Sequence, residues 1–366
     1  WKNTQIAQYM RETYGVSNEK TALAITIANR EKALLQDLDY ENGYSLYVGI
    51  PFCPSICLYC SFGSHPLERW TKRVDEYLDT LCKELTFIRE QMGARKLTTV
   101  YIGGGTPTTL EPEQLRRLLS HIQETFDFTW VKEYTVEAGR PDSITREKLQ
   151  VMKEFPVTRI SVNPQTMNQK TMDVIGRKHT VEDTINIFHM ARELEFDNIN
   201  MDLIIGLPGE GKEEVAHTLQ EVEKLHPDSL TIHSLALKRA TRLNLFKDKY
   251  EEMSFENSKE IMEMTQQCAE NMGMGPYYLY RQKNIAGNFE NVGYAEVDKA
   301  GIYNILIMEE KQTILAAGAG ASTKFVFEHG TRIERVENVK DVNNYILRID
   351  EMLERKRVGI QKYLNG

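Results

Sequence analysis

Three cysteines fall within one short run, Cys53, Cys57 and Cys60 in PFCPSICLYCSF, with the spacing C-x3-C-x2-C. The chain has only five cysteines, so this clustering asks for a chemical reason. A structural zinc site or a protein-saturated iron–sulfur cluster takes four protein ligands. Three thiolates on a cluster leave one iron open for a further ligand. Zinc with His65 as the fourth ligand also fits the loop. A redox pair of Cys57 and Cys60 would leave Cys53 unexplained.

Length and composition bound the fold. With 366 residues, the chain can hold a barrel plus appended structure. It is 41% hydrophobic and 27% charged, ordinary for a globular protein. No apolar run approaches the about 18 residues of a membrane span. The first residues do not resemble a secretory signal, and residue 1 is Trp, from which an upstream portion is expected. The net charge of −8 argues against general nucleic-acid affinity. Cys82 and Cys268 stand alone in helical patterns and are expected to be reduced core residues of a cytoplasmic protein.

The element pattern is α/β. Residues 1–43 predict two helices, with Ser17 or Asn18 as a cap. A β-type run follows at Tyr44–Ile50. Five helix–strand pairs come next, with strands at 98–102, 134–137, 159–162, 199–205 and 229–235. Six strands alternating with five helices predict parallel βαβ units, in a partial or closed barrel or an open sheet. After Leu235 the pattern breaks. A basic run, KRATR, precedes a helix at 255–272, a Tyr/Gly/Asn-rich stretch, the run AAGAGAS and a closing helix at 339–356. Residues 44–236 therefore predict one domain and 237–366 a second, lying as a substrate or lid domain across the barrel mouth.

In parallel α/β folds ligands bind at the carboxyl ends of strands, and the unusual residues collect there. The cysteine loop follows the first strand. Gly103, Gly104 and Gly105 follow the second; a turn without Cβ atoms lets the backbone approach a ligand. Glu137 ends the third strand, Gln165 follows the fourth and Asp202 lies in the fifth. Buried carboxylates need donors or a cation, which ribose hydroxyls and an α-amino group would supply. Paired internal arginines are the plainer explanation of any one of them alone.

With these residues, the chain resembles the oxygen-independent coproporphyrinogen III oxidase family of radical S-adenosylmethionine (SAM) proteins, in particular its HemZ-like branch. The resemblance is specific from Tyr44 to Ala236 and looser beyond. It implies a partial, TIM-like (β/α)6 barrel with an N-terminal helical segment and an α+β C-terminal domain. It implies a [4Fe–4S] cluster on Cys53, Cys57 and Cys60, with one SAM here and two in the oxidase proper. Tyr47, Gly104, Gly105, Thr106, Glu137, Gln165, Arg177, Asp202 and Ala236 match SAM-site positions of the family, and Tyr59 matches an aromatic beside the second SAM. Gly49 stands where the family often has His, and Phe62 where the oxidase has a further Cys; the oxidase's N-terminal arm is not recognisable. These departures bear on the second SAM and on the oxidase activity, and not on the cluster.

The resemblance implies a tetrapyrrole substrate and a reduced flavodoxin or ferredoxin as electron donor. One electron cleaves SAM, the resulting 5′-deoxyadenosyl radical removes a hydrogen from a propionate β-carbon, and loss of CO2 and one electron leaves a vinyl group. No general base is required. Lys238, Arg239 and Arg242 follow the sixth strand and are expected to help bind the propionates, as guanidinium suits carboxylate; a solvated basic run is the plain alternative. Three rival functions stay open: a haem-binding chaperone of a sister branch, a radical SAM tetrapyrrole methyltransferase or ring-opening enzyme, and a zinc-bound interaction module. The chaperone branch carries a His-Asn segment, and the corresponding stretch here, 287–294, has no His.

Overall fold

Each central strand alternates apolar and polar residues, and that two-residue period decides which side chains enter the barrel. The computed structural model describes residues 1–61, 64–236, 238, 241–245, 255–283, 285, 287 and 289–365. Six strands run parallel in chain order: β1 (Tyr44–Ile50), β2 (Leu97–Gly104), β3 (Glu133–Gly139), β4 (Arg159–Val162), β5 (Ile199–Ile205) and β6 (Ser229–Ser234). Helices Val74–Met92, Pro112–Thr125, Arg146–Lys153, Val181–Glu193 and Lys212–Leu225 connect them. This is the expected (β/α)6 partial barrel. Leu46, Val48 and Ile50 of β1, with Val100, Ile102, Val136, Ile160, Met201, Leu203 and Ile232, join one buried core with the helices. The other face is polar. Arg159 donates to Ser229 (3.2 Å), Ser229 to Asn200 (3.0 Å) and Asn200 to Asp202 (2.7 Å).

The segment beyond 237 extends the same sheet at both edges. β8 (Asn291–Ala295) adds antiparallel to β6, β7 (Gly275–Tyr280) adds antiparallel to β8, and β9 (Thr313–Ala317) adds parallel to β1. β10 (Ser322–Phe327) and β11 (Arg332–Glu337) finish that edge. The order is β11-β10-β9-β1-β2-β3-β4-β5-β6-β8-β7. The AAGAGAS run closes β9 and turns at Gly318, where φ is +111° and a Cβ would lie 2.5 Å from the Gly49 carbonyl. Two helices differ from expectation. The first begins at Lys259 because the Ser258 side chain caps it, accepting from the Ile261 N–H. The closing helix is broken at Arg348 (φ −114°, ψ 25°) into Val342–Leu347 and Ile349–Leu364.

Among the contacts of the added segments, one joins them to each other and another joins the last helix to the barrel. Arg30, on the N-terminal helix Asn18–Leu34 capped by Ser17, donates to the carbonyls of Ala295 and Glu296, both at 2.9 Å. Lys356 of the last helix meets Glu84 of the first barrel helix at 2.6 Å, both side chains fully buried. Tyr345 (2.6 Å), Asn338 (2.8 Å) and the Gly318 N–H (2.9 Å) complete that carboxylate's donors.

Candidate radical SAM site

The cysteine loop is laid over the glycines of β2. After β1 ends at Ile50, the Ile50 and Phe52 carbonyls accept from the N–H groups of Gly105 and Thr106, each at 2.7 Å. A Cβ on Gly105 would sit 2.5 Å from the Phe52 carbonyl, and one on Gly103 would sit 2.9 Å from the Glu137 carboxyl carbon. Two of the three glycines are therefore required by the chain's approach to itself. Gly104, at φ +107°, lines the adjoining cavity. The far side of the loop is tied by Leu58 N–H to the Ile175 carbonyl (2.9 Å) and Leu243 N–H to the Leu58 carbonyl (3.0 Å).

Cys53 and Cys57 are buried and Cys60 is half-buried, and all three face one cavity of about 280 Å³ at the carboxyl ends of the strands. Thr106 Oγ1 donates to the Cys53 sulfur at 3.5 Å, and Arg140 Nη1 donates to the Cys57 sulfur at 3.6 Å. Burial pushes the Cys53 thiol up, and the Thr106 hydrogen bond opposes that. His65 is engaged elsewhere: its Nε2 lies 3.3 Å from the Lys340 carbonyl and its ring meets Trp70 edge-on. Among the described residues, no three His, Cys, Asp or Glu side chains are placed to hold a single metal ion. Three thiols on one cavity are a donor set of the kind that holds an iron–sulfur cluster.

The same cavity brings together Tyr59, Gly104, Gly105, Thr106, Glu137, Gln165, Arg177, Asp202, Ala236 and Lys238. Tyr47 does not line it. It borders a smaller neighbouring cavity of about 100 Å³ that shares Gly104 and Gly105, and its ring stacks on Tyr101. Arg242 is exposed and donates to the Ile56 carbonyl at 3.4 Å, bracing the cysteine loop from outside. Arg239, Phe62 and Asn288 lie outside the described residues.

The charges in the cavity are individually tuned. Burial pushes the Glu137 carboxyl up to about 7; the Tyr101 hydroxyl, which donates to it, and the Gly104 N–H oppose this, while Asp202 adds to it. Burial also works against the Asp202 charge, yet His233 and Asn200 hold its carboxyl below the usual range. Gln165 adopts φ +67°, a costly conformation for a side-chain-bearing residue. It is held there by its N–H to the Asp202 carbonyl and its own carbonyl to the Ile204 N–H, both at 3.0 Å. Asn163 Oδ1, Gln165 Oε1 and Arg177 Nε are buried without a hydrogen-bond partner. Orphaned polar atoms around a cavity are what a polar ligand would satisfy, and they fit a nucleoside with an amino-acid tail.

Sequence reasoning missed Arg140, His233, Tyr280 and Asn291, which also line the cavity. The two-residue period of β6 was a signal for His233, which shares the face of Thr231. Tyr280 and Asn291 arrive by antiparallel pairing and carried no local signal.

Residues 47–222 match the Radical SAM superfamily. Over 351 residues the chain is 43% identical to the oxygen-independent coproporphyrinogen-III oxidase-like protein HemZ of Bacillus subtilis, covering 95% of this chain and 70% of that one. The chain belongs to the radical SAM family of oxygen-independent coproporphyrinogen III oxidase-like proteins. The heme chaperone HemW of Bacillus subtilis is 37% identical over 198 residues, covering 54% of this chain and 52% of that one. Among solved structures, the coproporphyrinogen III oxidase HemN of Escherichia coli superposes with a TM-score of 0.68 at 25% identity, covering 88% of this chain and 73% of that one. A [4Fe–4S] cluster and SAM are the cofactors of this radical SAM family and hence of this chain. No helix among the described residues is long and apolar enough to cross a membrane.

Proposed function

We propose that this protein oxidatively decarboxylates propionate side chains of coproporphyrinogen III to vinyl groups, giving protoporphyrinogen IX without oxygen. The supporting observation is the convergence on one cavity of three thiols, three orphaned buried polar atoms and Lys238. HemN's name gives the reaction and HemZ's name gives likeness to it.

In this reading Cys53, Cys57 and Cys60 hold the cluster. Glu137 accepts from the SAM ammonium, Asp202 and Gln165 from its ribose, and Arg177 meets its carboxylate; the Gly104–Thr106 turn and Ala236 offer backbone groups, and Tyr59 an aromatic face. Tyr47 supports the turn from behind. When bound, cluster and SAM supply one-electron cleavage of a sulfonium and hydrogen-atom abstraction. The chain's own part is to bind, orient and exclude water. Lys238 at the cavity wall offers a charge to a propionate; Arg242, which donates to the Ile56 carbonyl, does not reach the cavity. A reduced flavodoxin or ferredoxin supplies the electron.

The test is anaerobic: reconstituted protein, dithionite, SAM and coproporphyrinogen III, with products weighed by mass spectrometry. Protoporphyrinogen with 5′-deoxyadenosine supports the reading. Stoichiometric haem binding without decarboxylation favours a chaperone role, and a methylated or ring-opened product a different radical outcome.

A further inference from the structure

The cavity contains a buried cation to which the reading above gives no role. Arg140 lies one residue beyond β3, and its side chain is 5% exposed. Burying a guanidinium is costly unless its donors are used. Its Nε and Nη2 grip Asp142 in a fork, at 3.0 and 2.7 Å. The third nitrogen, Nη1, faces the cysteine loop, reaching the Ser55 carbonyl at 2.8 Å, the Ser55 hydroxyl at 3.0 Å and the Cys57 sulfur at 3.6 Å. Asp142 is itself steadied from behind by the buried His179, whose Nδ1 is 3.5 Å from Oδ1. Imidazole, carboxylate, guanidinium and sulfur thus form one line ending on a thiol.

We propose that Arg140, aimed by Asp142, sets the reduction potential of the cluster through its N–H donation to the Cys57 sulfur. The inference rests on the cluster reading above. Hydrogen bonds and positive charge at a cluster sulfur favour the reduced, more negative state and raise its potential. Little solvent intervenes to screen the charge at this depth. Arg stays protonated throughout the working pH range, so the effect is constant. Asp142 subtracts from it, and the net potential is a balance of two fixed charges. Arg177 adds a second cation on the same side and donates to Tyr59 at 3.2 Å. A cluster that must be reduced before it can pass an electron to SAM gains from having its potential lifted to within reach of the donor.

The measurement is an EPR-monitored redox titration of the reconstituted protein without SAM. Arg140→Gln should move the midpoint to more negative potential, and Arg140→Lys, which keeps the charge, should stay nearer the parent. Asp142→Asn keeps an amide oxygen to accept from Arg140 while removing the opposing charge, so it should move the midpoint the opposite way, to more positive potential. A parent-like midpoint in Arg140→Gln, or a shift of Asp142→Asn in the same direction as Arg140→Gln, overturns the proposal. If Arg140→Gln assembles no cluster, the Asp142→Asn result decides alone. Failure of the parent itself to show a reduced-cluster signal would instead remove the cluster reading, a separate outcome.

Discussion

His233 Nδ1 lies 2.8 Å from the Tyr280 hydroxyl, joining the last barrel strand to the first strand of the C-terminal segment. The other ring nitrogen faces Asp202 Oδ2 at 3.7 Å. With Nε2–H toward the carboxylate, Nδ1 accepts from the tyrosine. His233→Ala leaves Asp202 with Asn200 as its remaining side-chain donor. We expect SAM affinity to fall about tenfold, the equivalent of one hydrogen bond to a charged group, and Tyr280→Phe to cost less. Equilibrium dialysis against SAM on the cluster-loaded protein checks both.

Glu137 gives a pH dependence with a defined sign. Its carboxyl is raised from 4.5 to about 7, so the folded apoprotein keeps a proton that the unfolded chain has lost. Its contribution to stability is present in full below about 4.5 and is lost as pH rises through about 7. Binding a cationic ammonium favours the ionised form, so SAM affinity should rise over the same window. Glu137→Gln should flatten both trends. Urea unfolding of apoprotein and SAM titration, each at several pH values from 5 to 8, read them out.

The Glu84–Lys356 pair is the tie between the closing helix and the barrel. Lys356→Met leaves a buried carboxylate without its cation, which costs about 3–5 kcal/mol. Urea unfolding should show that loss. A change under about 1 kcal/mol would mean that the carboxylate is neutral or that water reaches it.

Gly105 is constrained by the Phe52 carbonyl. Gly105→Ala should strain the loop, costing about 1–3 kcal/mol as overpacking does, and should displace Cys53 relative to Thr106. Iron per chain after reconstitution should fall, while Cys82→Ser, on an outer barrel helix, keeps parent-like iron.

The barrel was legible because each of its strands is short, β-rich and bounded by a helix, so local pattern and tertiary role agree. The strand-end rule then pointed to Glu137, Gln165 and Asp202. The C-terminal strands were not legible. β9 ends in small residues and pairs with β1 from far along the chain, β11 is a polar edge strand, and β7 opens on Gly275 and Pro276. Pairing at such distance leaves no local trace. Arg140 was hidden for another reason. A lone arginine after a strand looks like surface, and only its fork on Asp142 and its approach to Cys57 show otherwise.

The most direct test of the proposed chemistry uses coproporphyrinogen III deuterated at the propionate β-carbons, turned over anaerobically with SAM and dithionite. Mass spectrometry of the 5′-deoxyadenosine formed should show one deuterium per molecule, alongside vinyl product. Unlabelled 5′-deoxyadenosine with intact propionates would contradict the account and place the hydrogen donor elsewhere.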